Sequence, residues 1–237
     1  MITDIGIDVD GVLYDFVHAF RNYCSKRLAR TDLPYPTTWV FYEEWGITKD
    51  TFDEWLEEAT ADSDLFNSQF PYHNSLEGWA KLRTMDVRLH IMTNRAPFAY
   101  KQTVEWLDNF GFTPDSLHFG DEKVVLETYV RDQGAAIDDY PKYYRDYENV
   151  DVKAFIRTQE WNKAFAGRHV ADLLAFARAI EVHNEYHSME KLSVRLSPSV
   201  VTSNPFKGSV TYSTTYKKDV QDKNPHSEQP RMFGELE

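Results

Sequence analysis

Residues 2–13 read ITDIGIDVDGVL. Ile2 to Val9 is rich in β-branched residues, which suit a pleated backbone, so a strand is expected there. Gly11 follows and lets the chain turn sharply. Asp8 and Asp10 stand two apart on an extended segment, so their carboxylates point the same way. Two acids that close repel each other, and a bound divalent cation relieves the repulsion. A solvated DxDG turn accounts for these letters equally well, so the weight falls on what the rest of the chain adds.

Strand–helix alternation continues outward from this segment. Val87–Met92 is expected as a second strand, after a helix that Ser75 opens as N-cap. A helix follows from Pro97, favoured in a first turn, to Phe110, with Gly111 as its stop. Leu117–Phe119 reads as a third strand and Val124–Gln133 as a helix ending at Gly134. Ala135–Ile137 and Val152–Ile156 read as two more strands, and His169 to about Tyr186 as a long helix. Such alternation predicts an α/β fold: a three-layer, Rossmann-like parallel sheet with ligands at the carboxyl ends of its strands. Residues 15–74 interrupt the pattern. There, Asp15–Leu28 and Thr51–Ala61 read as helices around the linker LPYPTTWVFYEEW at 33–45, a small helical cap inserted after strand 1. The expected division is a core of residues 1–14 and 75–192, a cap of 15–74 and a C-terminal tail of 193–237.

Composition sets the outer bounds. The chain has 237 residues, 42 % of them hydrophobic, enough for a proper core. The tail differs: 12 of its 45 residues are hydrophobic, so it is expected to be extended or poorly ordered. A net charge of −12 repels long polyanions, which disfavours polymeric nucleic acid as a partner. The single cysteine, Cys24, excludes a disulfide scaffold and is expected to pack as a small hydrophobe in the first cap helix. No secretory signal is read at MITDIGIDVDG, and no apolar run approaches the ~20 residues that span a bilayer. A cytoplasmic setting without membrane contact is therefore expected. His183 and His187, four apart on a helix, are read as a solvated face because no third ligand accompanies them.

Polar clusters recur at the ends of the expected strands. Thr93, Asn94 and Arg95 close the second strand just before a helix N-terminus, a setting suited to anions. Lys123 follows the third strand at a helix start, where a cation opposes the helix dipole. Asp138 and Asp139 close the fourth. The order DxDG, TN, K, DD resembles the haloacid-dehalogenase (HAD) superfamily of phosphotransferases over about residues 1–160. Within it, DVDGVLYDF, the helical insert, FPYHNSLEGWAKLRTMDVRLHIMTNR and AAIDDYP are similar to the 5′(3′)-deoxyribonucleotidase-like group, and FIRTQEWN (155–162) is similar to its later strand and loop.

This resemblance implies Asp8 as nucleophile and Asp10 as general acid and base. It implies phosphate contacts from Thr93, Asn94 and Lys123. Mg²⁺ is implied as cofactor, held by Asp8, the Asp10 main-chain carbonyl, Asp139 directly and Asp138 through water. It also implies a base pocket with Phe16, eight residues after the nucleophile, and a cap stretch matched by Trp39–Tyr42, in which Phe41 is assigned to the ligand. Arg95 is assigned to substrate or to an acid of the insert. Residues 14–74 hold 14 aromatics in 61 positions, most of them needed for the insert's own core. The expected partner is a small phosphate ester, a nucleoside monophosphate, and the chain is compatible with a homodimer. The competing readings are a HAD phosphatase acting on a sugar phosphate or a 3′-phosphate end, and a non-catalytic nucleotide-binding or docking module.

Overall fold

The structure, a computed structural model, describes residues 1–120 and 133–196. Its centre is a parallel sheet of six strands: β1 (Asp4–Ile7), β2 (Arg88–Thr93), β3 (Ser116–Phe119), β4 (Gly134–Asp138), β5 (Lys153–Arg157) and β6 (His169–Val170). The order across the sheet is β3-β2-β1-β4-β5-β6, and every neighbouring pair is parallel. After β3 the chain crosses to the other side of β1, so β1 and β4 flank the topological switch point where ligands of such sheets bind.

The period of two along each strand divides the core. Ile5, Ile7, Leu89, Ile91, Ala135 and Ile137 face one side. There they meet Trp79 and Leu82 of α4 (Ser75–Arg83), Trp106 of α5 (Tyr100–Asn109), and Leu173, Phe176 and Ile180 of α7 (Leu173–Leu196). Met92, Ala136, Ala154 and Ile156 face the other side, against Tyr144 and Tyr147 of α6 (Pro141–Asn149).

Between β1 and α4 lies the helical insert: α1 (Phe16–Arg27), α2 (Phe41–Glu44) and α3 (Lys49–Ser63). Asp15 caps α1 by accepting from the His18 N–H at 3.0 Å, and Thr48 caps α3 through the Thr51 N–H at 3.2 Å. Phe16, Phe20, Phe41, Phe52 and Phe66 are all buried in the insert's ring cluster. Cys24 is buried in α1, and burial pushes its thiol up to about 12.

Several boundaries differ from the sequence reading. The N-cap of α4 is Asn74, at φ +64°, with its amide donating to Asp172 at 2.8 Å; Ser75 is the first helical residue and its hydroxyl is buried without a partner. Pro97–Ala99 forms a 3₁₀ turn before α5, not the first turn of one continuous α-helix. Gly134 opens β4, since its α-carbon pairs with Asp4. His169 and Val170 are a strand on the edge of β5, and α7 starts at Leu173 and runs to Leu196, past the expected start of the tail. His183 is half-buried, its Nδ1 2.9 Å from Lys153 Nζ, so it lies on a packed helix face. Of the expected helix Val124–Gln133, residues 124–132 lie outside the described residues, as does the tail from 197, and Gln133 is a turn residue.

One close approach fixes how α4 sits on α7. A Cβ on Gly78 would stand 2.6 Å from the backbone at Leu173 and Leu174, which has no freedom to retreat. In an open helix Gly→Ala stabilises by roughly 0.5–1 kcal/mol. Here overpacking reverses the sign, and Gly78→Ala should lower stability by about 1–3 kcal/mol in urea titration. A midpoint at or above wild type would show that the two helices are not in this register.

Candidate active site

Parallel pairing of β1 with β4 runs from Asp4 opposite Gly134 to Ile7 opposite Ile137. The Asp8 N–H then donates to the Ile137 carbonyl at 3.1 Å, carrying the pairing one residue beyond the strand. Asp8 therefore emerges beside Asp138 and Asp139. Each of the three offers a carboxylate oxygen within 4.8 Å of the other two, and all three residues are buried. Three buried carboxylates this close repel strongly, and all-oxygen anionic donors suit a hard divalent cation. Gly11 completes the cradle. At φ +77° its α-carbon lies against Asp139, and a Cβ there would overlap the carboxylate oxygen Oδ2. The donor set thus fits a magnesium-type ion.

The loops around the cluster are pinned from several sides. Asp138 Oδ1 accepts from the Tyr140 N–H at 2.9 Å. The Asn162 amide donates to the carbonyls of Asp139 at 2.7 Å and Arg157 at 2.8 Å. The Gly11 N–H donates to the Tyr14 carbonyl at 2.9 Å, closing the turn after Asp10.

Asp10 is held differently. Arg95 donates Nε to Asp10 Oδ2 at 2.9 Å and Nη2 to Oδ1 at 2.7 Å, a bidentate pair, and Nη1 to Thr103 Oγ1 at 2.9 Å. The guanidinium is wholly buried over the rings of Tyr14 and Phe66, at 4.8 and 4.3 Å. Of the two roles expected for Arg95, the structure shows pairing with an acid, and that acid is Asp10 of the DxDG segment and not one of the insert. Thr93 is buried at the end of β2, its hydroxyl oxygen accepting from the Arg95 N–H at 3.3 Å. The Asn94 amide donates to the Tyr143 hydroxyl, and its Oδ1 is buried without a partner. Lys123 lies outside the described residues.

Phe16 and Phe41 do not present open faces. Phe16 stacks between Phe20 and Phe66, with ring centroids at 5.7 and 5.8 Å, and Phe41 packs on Trp45 at 5.0 Å. The aromatic of the same stretch that reaches the sheet is Trp39. Glu44 accepts from the N–H groups of Thr37 and Thr38 at 2.9 and 2.7 Å, fixing the turn just before it. Trp39 lies face to face on Tyr140, centroids 3.9 Å apart, with Trp161 edge-on at 6.4 Å. Neither Trp39 Nε1 nor Trp161 Nε1 has a partner. Trp39 lies in the Trp39–Tyr42 stretch matched to the cap, although Phe41 was the residue assigned from it; Tyr140, Arg157, Gln159 and Trp161 were not singled out, and the segments AAIDDYP and FIRTQEWN that carry them were the available signal.

The model of the 5' nucleotidase, deoxy (pyrimidine), cytosolic type C protein family matches residues 1–180. A protein of Chlorobaculum tepidum, provisionally named a 5'(3')-deoxyribonucleotidase, is 32 % identical over 139 residues, covering 54 % of this chain and 68 % of that protein. Among solved structures, a HAD-superfamily hydrolase of subfamily IA from Geobacter sulfurreducens aligns with a TM-score of 0.54 at 14 % identity, over 75 % of this chain and 96 % of its own. The L-2-haloacid dehalogenase of Xanthobacter autotrophicus aligns at 0.53 and 15 %, over 76 % and 99 %. At such identities the structural likeness shows the fold, and that fold is HAD-like. Among the described residues no helix is long and apolar enough to cross a membrane. With the family's model matched over residues 1–180, the chain belongs to the 5' nucleotidase, deoxy (pyrimidine), cytosolic type C family and is a phosphoric monoester hydrolase of the 5'-nucleotidase kind.

Proposed function

We propose that the chain hydrolyses nucleoside monophosphates, deoxy forms preferred, through an aspartyl-phosphate on Asp8. The observation that carries this reading is the convergence of Asp8, Asp138 and Asp139 at the switch point, with Asp10 and Thr93 at the same end of the sheet. In the first in-line step an Asp8 oxygen attacks phosphorus, the ester bond breaks, and Asp10 gives its proton to the leaving alkoxide. In the second, Asp10 takes a proton from water, which attacks the same phosphorus and frees the Asp8 carboxylate. Both Asp10 oxygens accept from Arg95 in this structure, so proton delivery requires one of those bonds to open. Thr93, the backbone at Asn94, and Lys123 hold the phosphate oxygens. Asp8, the Asp10 carbonyl, Asp138 and Asp139 would hold Mg²⁺, which when bound neutralises charge developing on the phosphoryl oxygens.

The substrate assignment rests on the insert. Phe16 and Phe41 pack edge to face inside it, and Trp39 stacks on Tyr140, the residue that follows the acidic pair. Stacking of a base on such a ring is worth roughly 1–3 kcal/mol. A cytoplasmic setting accords with the cytosolic type named in the family's description.

Asp8→Asn should lower turnover of deoxynucleoside monophosphates by roughly three orders of magnitude or more, since the nucleophile is lost. EDTA should abolish wild-type turnover and Mg²⁺ restore it. A substrate panel tests specificity: equal or faster release of phosphate from sugar phosphates would defeat the nucleotide assignment.

Arg95→Met should destabilise the fold by about 3–5 kcal/mol, because it leaves Asp10 buried without its partner. Chemical denaturation reads the loss directly. A change under 1 kcal/mol would mean that Asp10 is not enclosed as described.

A further inference from the structure

Arg157 closes β5, and its guanidinium is not used by the mechanism above. Its residue is 9 % exposed, and among the described residues no carboxylate lies within ion-pair distance of it. The guanidinium instead lies 3.7 Å above the centre of the Tyr72 ring, and its Nε is buried without a partner. Asp172 feels its charge from beyond ion-pair distance, and burying a cation without a contacting counter-charge is costly, so the few bonds it makes carry weight. Nη1 donates to the Gly11 carbonyl at 2.7 Å. Gln159 Nε2 donates to the same carbonyl at 2.8 Å and reaches the Tyr72 hydroxyl at 3.4 Å. One backbone carbonyl thus accepts from two side chains of the segment RTQEWN.

That carbonyl sits at a sensitive place. β5 neighbours β4, and β4 neighbours β1, so Arg157 and Gln159 reach past the acidic pair to grip the loop after β1. The two peptides flanking the Gly11 α-carbon are now both pinned. The one before it, which bears the Asp10 carbonyl, is held by the Gly11 N–H to Tyr14; the one after it is held by Arg157 and Gln159. Between them the α-carbon rests on the Asp139 carboxylate. The same segment holds the acidic pair, because Asn162 donates to the Asp139 carbonyl and accepts from the Gln159 N–H at 2.8 Å.

We infer that Arg157 and Gln159 are positioning residues that set the separation between the Asp10 carbonyl and the Asp139 carboxylate, and so the affinity of the acidic cluster for its divalent cation. The inference rests on the metal reading proposed above. Two effects of Arg157 oppose each other. Its charge disfavours a nearby cation, whereas its grip on Gly11 favours one. The close contact between Gly11 and Asp139 makes the grip dominant, since a small shift of the loop moves one metal ligand relative to another. Gln159 shows the grip without the charge.

The test is Mn²⁺ binding, followed by electron paramagnetic resonance and by calorimetry on the full chain without substrate, well below the melting temperature. Arg157→Met should weaken Mn²⁺ roughly ten- to hundred-fold, the range for groups that orient metal ligands. Gln159→Leu should weaken it in the same direction, and Arg157→Lys should recover part of the loss through one ammonium donor. Wild-type affinity in both Arg157→Met and Gln159→Leu, with only the melting temperature lowered, would overturn the inference and leave the nucleotidase reading standing. Tighter binding in Arg157→Met would overturn it too, by showing that charge outweighs the grip. A wild type that binds no Mn²⁺ would instead sink the metal reading, and this inference with it.

Discussion

The register of β1 on β4 is the constraint on which the site depends. Parallel pairing carried one residue past Ile7 delivers Asp8 next to Asp138 and Asp139, in a place where three carboxylates would not collect by chance. Gly6 pairs with Ala136 across the two strands, and beyond them Gly11 gives its side-chain space to an Asp139 oxygen. The repulsion built into the cluster is offset by the hydrogen bonds of the sheet and of the loops around it. The anionic field at the switch point is therefore a product of backbone geometry.

The pair of Asp10 and Arg95 couples this field to the insert. A buried ion pair loses hydration on both sides, and it persists only where geometry satisfies both partners. Here the guanidinium meets both carboxylate oxygens and the Thr103 hydroxyl and lies over the rings of Tyr14 and Phe66. Phe66 belongs to the ring cluster that also holds Phe16 and Phe20. The insert's aromatic core thereby bears on the side chain assigned to proton transfer. The chemistry and the insert share one packing unit, and neither can be altered without the other feeling it.

The local code was readable where it is local. Strand periodicity, Gly and Pro punctuation and the polar residues closing each strand are properties of a few consecutive residues, so β1, β2, β4 and β5 and the letters DVDG, TNR and DD stood out. Boundaries went astray where a distant partner sets them. Asn74 adopts a left-handed conformation at the start of α4 while bonding Asp172, nearly a hundred residues away. His169 and Val170 are a strand because β5 offers an edge, which nothing in their own letters announces.

The same division runs through the site. The chain's own order of residue types established an α/β sheet with acids, a hydroxyl and an amide at its strand ends, because those features follow from alternation and spacing. Folding settled which of them touch. It buried Phe41 and brought Trp39 to Tyr140, turned Arg95 inward onto Asp10, and sent Arg157 across β4 to Gly11. The contacts of Trp39, Arg95 and Arg157 join residues far apart in the chain at distances below 4 Å, and pairwise proximity of that kind is created by packing, which no window of sequence contains.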